Sequence, residues 1–254
     1  GFYFADVERI PFNKSAEDKI NSWVKENTKG QIEKAVNNLD EDMVMLLINA
    51  LGFDCKWQKV YSENSVEKAD FTNESGKTVS ADFMHSQENV YLEDALAKGF
   101  IKYYEGEKYA FAAMLPDEGV SVADYVKQLS GDKITELLKN QNETMVHTAI
   151  PKFKTEYTEK LVDILSGMGM KDCFDPYKAD FSRMGSVKDG NLYVGDVVHS
   201  TSITVGELGT KAGAVTAVYV YGTSAPADPK EVILNRPFVY MLVDVENSIP
   251  LFIG

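Results

Sequence analysis

The stretch Gly209-Thr-Lys-Ala-Gly-Ala-Val-Thr-Ala-Val-Tyr-Val-Tyr-Gly-Thr-Ser224 decides how the chain is read. Residues 212–227 carry no charge and residues 209–225 no proline, after which Pro226 and Pro229 arrive together. A solvent loop is normally polar and tolerates proline. A strand inside a sheet needs every backbone N–H for its ladder and excludes proline. Alternation gives the segment two faces. Thr210, Ala212, Ala214, Thr216, Val218 and Val220 share one face, and all are small or β-branched, as a buried pleated surface requires. Lys211, Gly213, Val215, Ala217, Tyr219 and Tyr221 share the other, which is larger and begins with a charge. The segment is therefore able to enter a sheet with one preferred face inward. An ordinary half-buried strand is the competing reading of the same pattern.

Downstream of this stretch nearly everything favours strand: residues 232–234, 238–245 and 249–253, with 193–205 just before it. Upstream the signals are mixed. Ser15-Ala-Glu-Asp18 has the capping-box pattern, and Ile20, Trp23 and Val24 follow at helical spacing. This predicts a helix over 15–27, ended by Lys29-Gly30. Met43-Val-Met-Leu-Leu-Ile-Asn-Ala50 reads as a strand buried on both faces. A second apolar run over 109–115 stops at the turn Pro116-Asp-Glu-Gly119. Helices are predicted over 122–129 and 133–139, and a strand-like alternation over 145–157. Leu161, Ile164, Leu165 and Met168 mark a further helix, closed by Gly167 and Gly169. Helices among strands, followed by strands alone, predict an α+β fold with large, mostly antiparallel sheets and packed helices.

Composition removes several function classes. With 254 residues and 44% hydrophobic content, the chain can build a sizeable core. A net charge of −13 opposes nucleic acid and anionic membranes, whose binding needs dense Lys/Arg. No apolar run approaches the roughly 20 residues of a membrane span. The start, Gly1-Phe-Tyr-Phe4, lacks the basic segment and long apolar stretch of a signal peptide, and it lacks an initiator Met, so upstream sequence is expected to be missing. Cys55 and Cys173 make neither a disulfide framework nor a zinc site and read as small buried apolar groups. His85, His147 and His199 lie far apart without metal-ligand spacing. No Gly-x-Ser-x-Gly elbow occurs, and Gly167-Met-Gly-Met170 follows a helix instead of the strand a phosphate loop needs. No catalytic residue, metal or cofactor is expected, and an enzyme is disfavoured. The sequons at Asn13, Asn73 and Asn142 are close to chance in a polar chain.

The surroundings of the decisive stretch carry a resemblance. Glu207-Leu-Gly-Thr-Lys-Ala-Gly-Ala-Val-Thr216 resembles the hinge of the serpins: an acidic residue, Gly-Thr, then a run of small residues. Asn235-Arg-Pro-Phe238 with the apolar residues after it is similar to the strand that follows the family's reactive loop, and Leu251-Phe-Ile-Gly254 to its closing Leu-Phe-x-Gly. Upstream, Ile20-Asn-Ser-Trp-Val24, Thr28-Lys-Gly30, Asn49-Ala-Leu-Gly-Phe53, Trp57, Ile150-Pro-Lys-Phe-Lys154, Leu165-Ser-Gly-Met-Gly-Met170, Phe174, Ala179-Asp-Phe-Ser-Arg-Met184 and Val198-His199 follow in family order. Each motif is weak, but their order along the whole chain is specific. Leu208 departs from the usual polar residue, Gly206 is atypical, Ser200 stands where Lys is common, and the loop between Thr223 and Asn235 is long. Serpins also run considerably further upstream, so the chain matches the C-terminal two-thirds.

The resemblance implies a single serpin domain over 1–254 with a reactive-centre loop over 209–227, and a suicide inhibitor of serine proteases. The loop offers a substrate-like bond, the protease serine forms an acyl-enzyme, and the freed hinge inserts into the large sheet before hydrolysis. Glu207, Gly209, Thr210, Ala212, Ala214 and Thr216 are the implied hinge. Asn49, Trp57 and His199 are the implied sheet-opening region, with plain core packing as the alternative. Family loop length places the reactive bond at Thr223-Ser224, which suits an elastase-like or subtilisin-like protease. Tyr221-Gly222 is the alternative and suits a chymotrypsin-like one. The resemblance further implies an extracellular monomer, with loop-sheet polymerisation as its liability. A non-inhibitory serpin-like binding protein and an inactive fragment are the competing readings.

Overall fold

A computed structural model describes residues 5–188, 190–210 and 230–254. In chain order these form α1 (Lys14–Asn27), β1 (Leu46–Gly52), β2 (Cys55–Lys56), β3 (Val66–Thr72), β4 (Thr78–Glu88), β5 (Val90–Glu93), β6 (Ala97–Tyr103), β7 (Tyr109–Pro116), α2 (Val122–Gln128), α3 (Gly131–Lys139), β8 (Val146–Pro151), β9 (Phe153–Lys160), α4 (Val162–Gly167), β10 (Asp196–Gly206), β11 (Gly209–Thr210), β12 (Lys230–Ile233), β13 (Val239–Asp244) and β14 (Ile249–Ile253). The chain divides into two compact units: Gly1–Phe53 with Lys154–Ile203, and Asp54–Phe153 with Thr204–Gly254.

In the first unit α1 starts one residue earlier than predicted, with its cap two residues before Ser15. Asn13 is the N-cap, with extended backbone and a side-chain oxygen 3.1 Å from the Ala16 N–H that donates to it. A short acceptor just outside the helix satisfies a free first-turn N–H, so Ser15 falls inside the first turn. Thr28 ends the helix, its hydroxyl donating to Val24 O at 2.7 Å. Val24, Ile32 and Ala35 form a small core on which Ile20, Trp23, Ile48 and Ala50 pack.

β1 is a strand, but not one buried on both faces. Ile48 and Ala50 face that core, while Leu47 is 45% exposed and Asn49 is exposed. The reason is period-two geometry: only one set of alternate side chains reaches α1. β1 runs parallel to β10, from Leu46 opposite Asp196 to Gly52 opposite Ser202.

In the second unit two sheets have the orders β12-β8-β4-β3 and β14-β13-β7-β6-β5. The apolar run 109–115 becomes β7, buried almost throughout because it lies between β13 and β6. α2 and α3 close one face of this sheet, placing Tyr125, Ile134 and Leu138 among β5, β6, β7 and β13 side chains. Both helices are capped by serines: Ser121 Oγ accepts from Asp124 N–H at 3.0 Å and Ser130 Oγ from Lys133 N–H at 3.2 Å. The alternating stretch 145–157 divides into β8 and β9 around Lys152, whose N–H donates to Asp82 O at 2.8 Å. Cys55 and Cys173 are free thiols and only half-buried, not the buried apolar groups expected from the sequence.

Beneath this unit's surface lies a charged pair. Lys102 is 1% exposed, and its Nζ is 2.7 Å from Glu88 Oε1, which also accepts from Ser86 Oγ at 2.7 Å. The ammonium lies 4.4 Å from the centre of the Tyr61 ring and 5.4 Å from that of Trp57. Burial pushes the Lys102 pKa down and the Glu88 carboxylate opposes that shift. Removing one partner strands the other charge in the interior. Lys102→Met is therefore expected to lower unfolding free energy by roughly 3–5 kcal/mol in urea titration, and Lys102→Met with Glu88→Leu to recover most of the loss.

Candidate functional site

β10 ends at Gly206, and the chain reverses through Glu207 and Leu208 into β11. The reversal exposes three carbonyls in a row, and each finds a donor. Trp57 Nε1 donates to Gly206 O at 2.8 Å, Tyr61 N–H to Glu207 O at 2.9 Å, and Trp57 N–H to Leu208 O at 3.0 Å. Trp57 reaches this position because it directly follows β2, which pairs antiparallel with β11. Its indole stacks on Tyr104 at 4.5 Å between centroids and 10° between planes, and meets Phe111 edge-on at 5.9 Å. Phe111 in turn stacks on Tyr240, and Tyr240 on Phe252. The turn is thus anchored to an aromatic row running into the unit's core.

Glu207 turns its carboxylate outward to Lys152, whose Nζ is 2.7 Å away, with Asp82 at 3.9 Å from the same ammonium. The hydrogen bond from Lys152 holds the Glu207 carboxyl below its usual pKa, and Glu207 holds Lys152 above its own. Gly209 has φ of +149°, in the region open to glycine, and a Cβ there would lie 2.1 Å from Cys55 O. No other residue fits without displacing backbone. Thr210 is 0% exposed, and its Oγ1 shares a hydrogen bond of 2.7 Å with Tyr104 Oη. Burial pushes the Tyr104 phenol up, so it keeps its proton.

The other two residues expected near the sheet opening meet in the first unit. Asn49 on β1 lies opposite His199 on β10, and the carboxamide oxygen is 2.9 Å from His199 Nδ1. An oxygen acceptor puts the imidazole proton on Nδ1. Next along β10, the Ser200 hydroxyl lies 2.9 Å from that of Thr158.

The structure therefore brings Trp57, Glu207, Gly209 and Thr210 together, and Asn49 with His199. Ala212, Ala214, Thr216, Tyr221, Gly222, Thr223 and Ser224 lie outside the described residues. Tyr61, Lys102, Tyr104 and Lys152 belong to the site and were not singled out from the sequence. Lys152 lay inside a family-like motif, Ile150-Pro-Lys-Phe, and only its pairing with Glu207 gives it a role. Tyr104 sits in Lys102-Tyr-Tyr-Glu-Gly-Glu107, which reads as a polar turn. Among the described residues no group of three or more His, Cys, Asp or Glu is placed to hold a metal ion. No helix among them is long and apolar enough to cross a membrane.

Known proteins share this fold. The solved native-state structure of the thermophilic serpin Tengpin is 46% identical and superposes with a TM-score of 0.94, over 100% of this chain and 65% of that one. Its latent-state structure superposes less well, at 0.80 over 100% of this chain and 67% of that one, with 41% identity. An uncharacterized serpin-like protein of Thermococcus kodakarensis is 34% identical over 100% of this chain and 59% of its own length. The chain thus spans about two-thirds or less of these relatives. The family model described as Serpin (serine protease inhibitor) matches residues 1–254, and the chain belongs to the serpin family.

Proposed function

We propose that this chain acts as an irreversible suicide inhibitor of serine proteases. In this reading the protease serine Oγ bonds to the carbonyl carbon of Thr223. The Thr223–Ser224 peptide bond breaks, and the amine of Ser224 departs with the proton. The freed segment then enters as a strand between β1 and β10, breaking the parallel ladder and the Asn49–His199 hydrogen bond. The acylated protease is carried along before water completes hydrolysis. A segment of about fifteen residues at 3.3 Å each reaches about 50 Å, enough to move it across a domain.

One observation carries the reading. The glycine-dependent turn at Gly209 leads through the buried Thr210 and a single charge, Lys211, into residues 212–225, which carry neither charge nor proline. Ala212, Ala214 and Thr216 continue the same face as Thr210 in the alternation; the two alanines bring no side-chain polar group to burial and Thr216 brings one hydroxyl and no charge. The non-inhibitory reading lacks such support, because a binding protein has no need of small, uncharged residues at alternate positions. Thr223 before the bond suits an elastase-like or subtilisin-like protease; cleavage at Tyr221-Gly222 would suit a chymotrypsin-like one. The inhibitor works as a monomer, outside the cell. Its uncharged β-prone loop is also able to add to a sheet of another copy and so to polymerise.

Incubation with pancreatic elastase, and separately with chymotrypsin, is expected to give a band at the summed mass that survives denaturation. A released C-terminal peptide beginning at Ser224 would accompany it in intact mass measurement. Loop cleavage without the covalent band defeats the trapping step. Thr210 is already buried, so the insertion step is better tested further along the same face. Ala214→Arg is expected to leave cleavage intact and convert inhibitor to substrate, because insertion would bury an unpaired guanidinium. Undiminished covalent complex from that variant would defeat insertion.

A further inference from the structure

Two stretches of chain frame the segment 211–229. Upstream lies the reversal through 206–208, and downstream lies β12. They belong to different sheets, since β11 pairs with β10 and β2 while β12 pairs with β8. Buried polar side chains run between them. At the upstream root Trp57 and Tyr61 donate to the carbonyls of the reversal, and the Lys102 ammonium lies 5.4 Å and 4.4 Å from the centres of their rings. Lys102 stands on β6 and Glu88 at the end of β4, so their 2.7 Å contact bridges two sheets. Glu88 accepts from Ser86 Oγ at 2.7 Å, and Ser86 Oγ lies 3.0 Å from Thr148 Oγ1. Ser86, Thr148 and Val232 stand opposite one another on β4, β8 and β12. Thr148 and Val232 are both buried. The row of contacts thus begins under the carbonyls at 206–208 and ends at β12. A second branch, from Ser86 Oγ to Tyr61 Oη at 3.3 Å, closes it on itself.

We propose that the buried Lys102–Glu88 pair couples the two roots of the segment 211–229, so that the reversal at 206–208 and β12 hold or yield together. The physical reason is the cost of separating buried charges. A shift of β8 and β12 moves Thr148, and with it the Ser86 hydroxyl that donates to Glu88. Neither member of the ion pair can leave the other without being stranded in low dielectric. Displacement of Glu88 therefore takes Lys102 with it, and the rings of Trp57 and Tyr61 lose their cation. An apolar pair of similar size would fill the space and transmit nothing. It has no directional bond to Ser86 and no charge for the rings. Lys102 is in this sense a positioning residue, acting on the upstream root through Trp57 and Tyr61. The consequence for inhibition rests on the reading proposed above: an uncut segment tied at two coupled roots is held back from the sheet.

The test loosens one root and reads the other. Val232→Ala trims a buried side chain on β12. Amide hydrogen exchange is followed on the uncleaved chain at Trp57 and Tyr61, whose N–H groups donate to the reversal, with residues 122–139 of α2 and α3 as reference. Val232→Ala is expected to speed exchange in β8 and β12 about tenfold. Exchange at Trp57 and Tyr61 should rise about threefold or more, with 122–139 unchanged. With Lys102→Met and Glu88→Leu in place, the effect in β8 and β12 should remain and the effect at Trp57 and Tyr61 disappear. Ser86→Ala leaves the ion pair whole and cuts its link to Thr148, and should abolish the remote effect likewise. An unchanged rate at Trp57 and Tyr61 after Val232→Ala alone overturns the coupling, as does an equal rise at 122–139, the mark of global unfolding. Persistence of the remote effect in the double variant, or in Ser86→Ala should the double variant not fold, overturns the route through the pair. In parallel, the double variant is expected to lose its capacity for covalent complex with elastase several-fold faster than wild type on warm storage, at a similar urea midpoint. Equal loss overturns the hold on the uncut segment. No covalent complex from fresh wild type defeats the inhibitory reading instead, and the exchange pattern alone then decides the coupling.

Discussion

The second unit depends on Trp57 having two donors in the right places. Its backbone N–H and its indole N–H take carbonyls two residues apart, Leu208 and Gly206, so one side chain fixes the position of a chain reversal. A reversal buried against an aromatic row has no water for its carbonyls, and every unsatisfied one is destabilising. With Trp57 and Tyr61 supplying all three donors, the turn is able to lie against the core. That in turn forces glycine at 209, where Cys55 O leaves no room for a Cβ.

Charge is arranged around the same indole. Lys102 lies below it, buried, paired with Glu88 and in contact with two aromatic rings. Lys152 is partly exposed and paired with Glu207, in the turn whose flanking carbonyls Trp57 holds. The two pairs differ in kind. The outer one is screened by water and contributes little to stability. The inner one cannot lose either member without leaving a charge in low dielectric. The buried Lys102 lies against the rings of Trp57 and Tyr61, both donors to the turn.

In the first unit, the Asn49–His199 contact joins β1 and β10 across a parallel ladder. Parallel pairing is slightly weaker per residue than antiparallel, and β1 has an exposed face besides. Under the proposed mechanism this ladder is the one that opens. One exposed side-chain hydrogen bond across it adds only a modest barrier, which suits a pairing meant to be broken once.

Much of this was legible in the residues themselves. α1, β7, α2, α3 and β14 follow from periodicity and turn chemistry because their apolar spacing matches one face or one core layer. The family followed from the order of many weak motifs along the chain. β3 and β4 were missed, since Glu67, Lys68, Asp70, Ser80 and Asp82 carry no strand preference of their own and pairing with neighbours makes them strands; β5 and β6 are buried, but β5 has only four residues and Gly99 and Lys102 interrupt the apolar pattern of β6. The double burial of β1 was wrong because a run of apolar letters does not say which face has a partner. At the site, the residue types at 207, 209 and 210 were visible locally: an acid, a glycine and a small β-branched residue in sequence. Their partners Lys152, Tyr104, Tyr61 and Trp57 come from four other segments, and a contact between residues distant in sequence leaves no local pattern. The sequence by itself determined the family, the uncharged alternating run and the glycine at 209 that leads into it, because those are read from residue types and their order along the chain. Only the tertiary structure decided that Thr210 is already buried and bonded to Tyr104, because that depends on which strand lies beside it.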